Sequence, residues 1–114
     1  MAQYKVFQMK ISDADHELLN ESGWDASPKL TLYSNVKLGG KQISLRDVID
    51  HYHYVATIEA DNLEHVFHVG NVGSEHRIKQ DGLHRMHSVS VGDVVGDSDG
   101  CFHLVKSYGF QQLS

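Results

Sequence analysis

The amino-acid sequence predicts one α+β domain with a small mixed or antiparallel sheet, two or three short helices and a C-terminal β-hairpin. Segments that alternate between polar and apolar residues are typical of strands. Two Ser-x-x-Asp capping signals stand before apolar stripes of helical spacing. The run Gly-Asp-Ser-Asp-Gly at 96–100 separates two strand-like segments and favours a hairpin turn. A chain of 114 residues fits around one hydrophobic core, so we expect a single domain over 1–114.

Local signals divide the first half of the chain. Ser12 and Ser44 are each followed three residues later by an Asp, which forms a capping box. We therefore expect one helix near 13–22, which Gly23 ends, and a second helix that begins at Ser44. Alternation between apolar and polar residues predicts the strands. These are expected over 3–9, 29–37 and 53–59.

The second half of the chain has one more helix signal and a long irregular stretch. Asp61 with Glu64 repeats the capping pattern, and we expect a helix of no more than about two turns that closes at Gly70. Residues 71–87 show little periodicity, so they predict a loop with at most one helical turn. A loop of this length in a compact domain is often functional. The remaining strands are expected over 88–95, 101–108 and a last extended piece that ends at Leu113.

Charge and cysteine content limit the classes of partner and compartment. Fifteen Asp and Glu against ten Lys and Arg give a net charge of −5, which disfavours nucleic acid and suits a basic surface on a protein partner. Cys101 is the only cysteine, so we expect a cytoplasmic protein with no intramolecular disulfide. No run approaches the ~18 apolar residues of a membrane span, and we expect no membrane partner. The oligomeric state stays open.

Nine histidines, several of them in pairs, raise the alternative of a His-dependent metalloprotein or metalloenzyme. His65 and His68 share a helical face at i, i+3, and His84 with His87 forms another pair. However, the sequence has no His-Glu-x-x-His run, and no second cysteine that could complete a Cys/His zinc site. We therefore expect no cofactor, and the metal alternative assigns His65, His68, His84 and His87 as ligands.

For the remaining candidate sites, a structural role is favoured over a catalytic or metal-binding role. Cys101 and His103 lie two residues apart and share a strand face, but the sequence identifies neither an orienting group nor oxyanion donors for a nucleophile. Residues 97–100 resemble part of a calcium loop, yet Val95 stands where a carboxylate is needed, so a hairpin turn is favoured. We expect no catalytic residue. The glycine-aspartate pairs of the terminal strands leave a small RNA-binding barrel as a further alternative.

Three segments carry a resemblance to a known family. Residues 61–71 read DNLEHVFHVGN, residues 85–95 read RMHSVSVGDVV, and residues 108–110 read YGF. Together they resemble the YodL-like family of small phage and mobile-element proteins, across roughly 57–113. The resemblance implies a phage or mobile-element accessory protein that acts as a non-enzymatic binder of a host macromolecule, in host modulation or counter-defence.

Part of the same motif has a structural explanation, and the remainder predicts the functional surface. Val89 and Val91 supply an apolar face, while the glycines permit a bend and a turn. The polar residues that this explanation leaves over lie in or beside the long loop. We therefore expect the partner-binding surface to contain Asn71, Glu75, Arg85, His87 and Ser88.

Overall fold

The computed structural model describes residues 2–38, 44–72, 77–82, 86–106 and 109–113 of the chain. Its strands form one open antiparallel sheet in the order β3-β2-β1-β4-β5-β6. The fold is α+β, as predicted, and the open sheet shows that the barrel alternative is wrong for the described strands. The elements are β1 (Ala2–Gln8), α1 (Asp13–Ser22), a 3-10 turn (Trp24–Ala26), α2 (Pro28–Leu38), α3 (Leu45–His51), β2 (His53–Ala60), α4 (Leu63–Val72), β3 (Ile78–Lys79), β4 (Val94–Gly96), β5 (Phe102–Val105) and β6 (Phe110–Leu113).

The two predicted capping boxes are confirmed. The hydroxyl of Ser12 accepts a hydrogen bond from the backbone N–H of Asp15, whose carboxylate accepts from the N–H of Ser12 at 2.9 Å. Ser44 and Asp47 repeat this arrangement at the start of α3. Each box satisfies backbone donors that the first turn of a helix leaves without partners. Both helices therefore begin where the local sequence predicts.

The strand predicted over 29–37 is wrong, because this segment is the helix α2. Ser27 and Pro28 start the helix. The hydroxyl of Ser27 accepts from the N–H of Leu30 at 3.2 Å, and Pro28 occupies the first helical position, where its missing N–H has no cost. Leu32 and Val36 then lie one turn apart and face the core.

Helix α4 is longer than predicted and begins at a different cap. Asn62, and not Asp61, accepts the N–H of His65 through its side chain at 2.8 Å. Gly70 lies inside the helix and does not end it. A Cβ at Gly70 would come within 2.4 Å of Cγ2 of Val89, so a glycine is required by this close approach.

The segment between α4 and β5 differs from its prediction in two places. Ile78–Lys79 pair with β2 as the edge strand β3, where a loop with at most one helical turn was expected. Residues 86–93 are irregular, and the strand predicted over 88–95 begins only at Val94. Gly92 has a φ of 95°, which breaks the extended backbone and explains the late start. The hairpin turn between β4 and β5 is confirmed.

Each face of the sheet packs a hydrophobic cluster. Side chains at i and i+2 of a strand share a face, so Tyr4, Val6 and Gln8 of β1 point toward α4, as the alternation predicts. The opposite face packs against α2 and α3. The clusters include Val6, Ile58, Val66, Val69 and Val89 on the α4 face and Leu32, Val36, Val48, Leu104 and Leu113 on the other.

Candidate functional site

Three of the predicted partner-binding residues meet at one irregular segment, residues 86–93. His87 and Ser88 belong to it and are exposed. Asn71, near the end of α4, reaches it by donating from Nδ2 to the carbonyl oxygen of Val89 at 3.0 Å, and it also donates to the carbonyl of Phe67. Asn71 therefore lies beside the segment and also holds its backbone through this hydrogen bond. The predicted residues Glu75 and Arg85 lie outside the described residues.

The buried amide of Gln8 holds the start of the 86–93 segment. Its Oε1 accepts from the backbone N–H of His87 at 3.0 Å, while its Nε2 donates to the carbonyl of His87 at 2.9 Å. Nε2 also lies 3.1 Å from Oδ2 of Asp93. Gln8 has no exposed surface, so these bonds form without competing water. The side-chain amide of Gln8 thus makes with the N–H and C=O of His87 the two hydrogen bonds that a neighbouring strand would otherwise make.

The other end of the segment closes on itself through Asp93, which is only 3% exposed. Its carboxylate accepts from the backbone N–H of Ser90 at 2.9 Å, and its own N–H donates to the carbonyl of Ser90. The hydroxyl of Tyr52 donates to the carbonyl of Gly92. Burial, with the negative charges of Asp93 and Asp47, raises the pKa of Tyr52, so the phenol stays a neutral donor.

A cavity of about 410 Å³ opens where this segment meets the end of β1 and α2. Its lining includes His87, Ser90 and Asp93 of the segment, together with Lys10 and Tyr33. This volume is in the range of small-molecule pockets and also accommodates a protruding side chain of a partner. The lining residues include both hydrogen-bond donors and acceptors.

The metal alternative gains no support from the histidines that the structure describes. The rings of His65 and His68 lie 6.5 Å apart, centre to centre. Nδ1 of His65 already accepts the backbone N–H of Asp61 at 3.0 Å. His84 lies outside the described residues. Within the described ranges, no group of three or more His, Cys, Asp or Glu side chains could hold a metal ion.

The hairpin turn contains a hydrogen bond between His103 and Asp97 that the sequence analysis missed. Nε2 of His103 lies 2.9 Å from Oδ2 of Asp97, and this bond, with the backbone N–H of Cys101, lowers the pKa of Asp97. Oδ1 of Asp97 also accepts the N–H of Asp99. The carboxylate therefore closes the turn, as the hairpin interpretation of 97–100 predicts. The sequence signal for this contact is that Asp97 and His103 lie six residues apart, on the two sides of a glycine-containing turn.

Gln8 and Asp93 are the other site residues that sequence reasoning did not select. The alternation of β1 places Gln8 on the same buried face as Tyr4 and Val6. A polar residue at an apolar position of a strand is an available signal, because a buried amide must find partners. The partners themselves are 79 and 85 residues away in the chain. Only the folded sheet shows them.

The fold and the site define a small α+β protein in which an open sheet presents an irregular, side-chain-anchored segment beside a polar cavity. Comparisons with protein families, with curated proteins and with solved structures found no match for this chain. The resemblance to YodL-like proteins therefore stays a prediction. Among the described helices, none has the length and apolar character to cross a membrane.

Proposed function

We propose that the protein is a phage or mobile-element accessory protein that acts without catalysis by binding a host protein, and that residues 86–93 form its contact surface. The observation that carries this proposal is the way the segment is held. Buried side chains of Gln8 and Asp93, with Asn71 at the edge, fix an irregular backbone while His87 and Ser88 remain exposed. Binding residues are commonly carried by loops that a rigid scaffold positions.

An anchored segment suits recognition because its conformation is set before the partner arrives. Ordering a free loop upon binding would cost conformational entropy, and a preorganised loop avoids most of that cost. Nδ1 of His87 donates to the carbonyl of Ser88 at 2.8 Å, which orients the imidazole and leaves Nε2 as an acceptor in the neutral form. The exposed surface is therefore defined in chemistry as well as in shape.

The class of partner follows from charge and from the resemblance. A net charge of −5 weakens attraction to a phosphate backbone and favours a basic protein surface. The similarity of 57–113 to YodL-like proteins supports a host target in the cytoplasm of a bacterium.

The test is a comparative affinity purification from a bacterial host with a Strep-tagged chain and mass spectrometry. We expect a salt-resistant partner at near-equal stoichiometry with the unaltered chain, and its loss with the double variant His87→Ala/Ser88→Ala. The matched control is Ser98→Ala, an exposed serine of the hairpin turn, which should retain the partner. A partner that the double variant retains, or the absence of any stoichiometric partner, contradicts the proposal.

Elemental analysis of the same preparation addresses the histidine alternative. One zinc or iron per chain, in protein without a polyhistidine tag, would favour a metalloprotein over a binder. We expect no stoichiometric metal, because His65 already uses Nδ1 internally.

A further inference from the structure

The two edges of the sheet differ in how they are protected. The edge strand β3 has only two residues, Ile78–Lys79, and it carries the charges of Lys79 and the preceding Arg77. Short length and charged side chains are common devices against pairing with another sheet. The opposite edge strand, β6, reads Phe-Gln-Gln-Leu and has neither charge nor proline. Its edge is therefore open to another strand.

The hydrogen-bonding groups of that open edge can be assigned from the register. The N–H of Lys106 donates to the carbonyl of Gly109, which makes these two residues a hydrogen-bonded pair. Such pairs alternate along an antiparallel ladder, so Gln111 and Leu113 bond toward β5. The N–H and C=O groups of Phe110 and Gln112 therefore point away from the sheet, and no strand of the described chain lies beyond β6.

We propose that a second copy of this chain pairs with β6 in antiparallel orientation, with Gln111 facing Gln111 of the other copy on the two-fold axis. In this register Phe110 of each copy lies opposite Gln112 of the other. Both residues present outward groups, so the two symmetric pairs exchange two hydrogen bonds each. Glutamine has both a donor and an acceptor, so the facing Gln111 amides can also bond to each other.

An apolar groove beside β6 supplies the nonpolar part of this interface. The groove has a volume of about 190 Å³ and is lined by Phe67, Val105 and Phe110, together with Glu64, Lys106 and Gly109. Phe67 is 39% exposed, although it is a large hydrophobic residue of α4. A two-fold axis perpendicular to the sheet keeps the α4 faces of both copies on one side. Phe110 and Gln112 of the second copy then lie beside the groove.

The neutral, self-complementary edge favours a second copy over a charged peptide. In a two-fold symmetric strand pair, a charged residue near the axis faces the same charged residue of the other copy. Like charges directly opposite each other destabilise a strand pair. A sequence with only amide and apolar side chains avoids that penalty. This inference does not depend on the contact surface proposed for residues 86–93.

Sedimentation equilibrium from micromolar to millimolar concentrations tests the association. We expect a reversible monomer–dimer equilibrium for the unaltered chain. Gln112→Pro removes one outward N–H per copy without touching the β5 ladder, and it should raise the dimer Kd by about tenfold or more. Gln111→Glu places carboxylates opposite each other and should also weaken the dimer. Gln3→Glu makes the same charge change at an exposed site on β1 and should leave the Kd unchanged.

A cross-link supplies positive confirmation of the register. Residues that face each other in a non-hydrogen-bonded pair have Cα atoms about 4.5 Å apart, which a disulfide can span. In a Cys101→Ser background, Gln111→Cys should therefore give a disulfide-linked dimer under mild oxidation, while Gln3→Cys should not.

Two results would overturn the proposal. One is a chain that stays monomeric at every concentration, and the other is a dimer that Gln112→Pro and Gln111→Glu leave intact, which would indicate a different surface. Circular dichroism of each variant separates these outcomes from misfolding. Because none of these variants alters residues 86–93, the failure of host-protein capture and the failure of dimerisation can be told apart.

Discussion

The two faces of the sheet are covered in different ways. One helix, α4, packs Val66 and Val69 on one face, whereas α2 and α3 together pack Leu32, Val36 and Val48 on the opposite face. The α4 face also combines the close approach of helix backbone to Val89 with buried amide hydrogen bonds. On the other side, α1 buries no residue fully and is attached by an ion pair between Asp15 and Lys29.

This difference teaches where the structure tolerates change. Close packing and buried hydrogen bonds permit one arrangement, because a small displacement leaves polar groups without partners or atoms in collision. A half-buried ion pair at the surface, such as that between Asp15 and Lys29, allows more adjustment. The 86–93 segment depends on the α4 face through Gln8 and Asn71. Substitutions on the α4 face should therefore alter the conformation of the candidate site, whereas substitutions on α1 should affect only the structure around α1.

The largest expected effect comes from Gln8→Ala, which removes the buried amide. The peptide of His87 and the carboxylate of Asp93 would each lose a partner, and a cavity would remain. We expect the free energy of unfolding to fall by about 2–5 kcal/mol in urea titrations. Gln3→Ala, at an exposed glutamine of the same strand, should change it by no more than about 0.5 kcal/mol. Equal effects of the two substitutions would contradict a special role for Gln8.

Gly70→Ala tests the close approach on the same face. Alanine in an exposed helix position would gain about 1 kcal/mol over glycine. Here the new Cβ would meet Cγ2 of Val89, and we expect a net loss of about 1–3 kcal/mol by denaturant unfolding. In a double-mutant cycle, Val89→Ala should relieve part of this loss. A stabilised Gly70→Ala variant would show that the contact adjusts freely.

The elements that the sequence predicted correctly depend on neighbouring residues. Ser12 with Asp15 and Ser44 with Asp47 are local pairs, so their helices can be identified without knowledge of the fold. The alternation of apolar and polar residues over 29–37 predicts a strand, whereas in the structure Ser27 caps a helix that begins at Pro28. Burial against the sheet decides that conflict in favour of the helix, because it aligns side chains four residues apart.

The candidate site shows the same division. Asn71, His87 and Ser88 were predicted as the polar residues of the resemblance motif and the long loop that a structural role does not explain, and the structure places them at one irregular segment. Gln8 and Asp93 were not selected, because their bonds join β1 to residues 79 and 85 positions away. Local periodicity contains no information on such pairs, and strand order is needed to place them.

Removing each helix cap in turn should show which helix contributes to global stability and which unfolds locally. Ser44→Ala weakens α3, which contributes the buried Val48, so we expect global stability to fall by about 1 kcal/mol. Ser12→Ala weakens α1, which has no fully buried residue. Its main effect should be faster hydrogen exchange over 13–22, with protection in β1 and β2 retained. Global unfolding by Ser12→Ala, of the size seen with Ser44→Ala, would show that α1 is coupled to the core.

The smallest effect concerns the pH dependence of the α1 attachment. The ammonium of Lys29, 2.7 Å from Oδ2 of Asp15, and the N–H of Ser12 lower the pKa of Asp15 from 3.8 to about 2. A carboxyl whose folded pKa is depressed contributes stability above its unfolded pKa and loses it as the pH falls through the folded value. This contribution should therefore be complete at neutral pH and decline between about pH 4 and pH 2. Lys29→Met should flatten that part of the stability profile in urea titrations, whereas Lys106→Met, at an exposed lysine, should preserve it. Parallel profiles for the wild type and Lys29→Met would mean that the ion pair contributes nothing to folding.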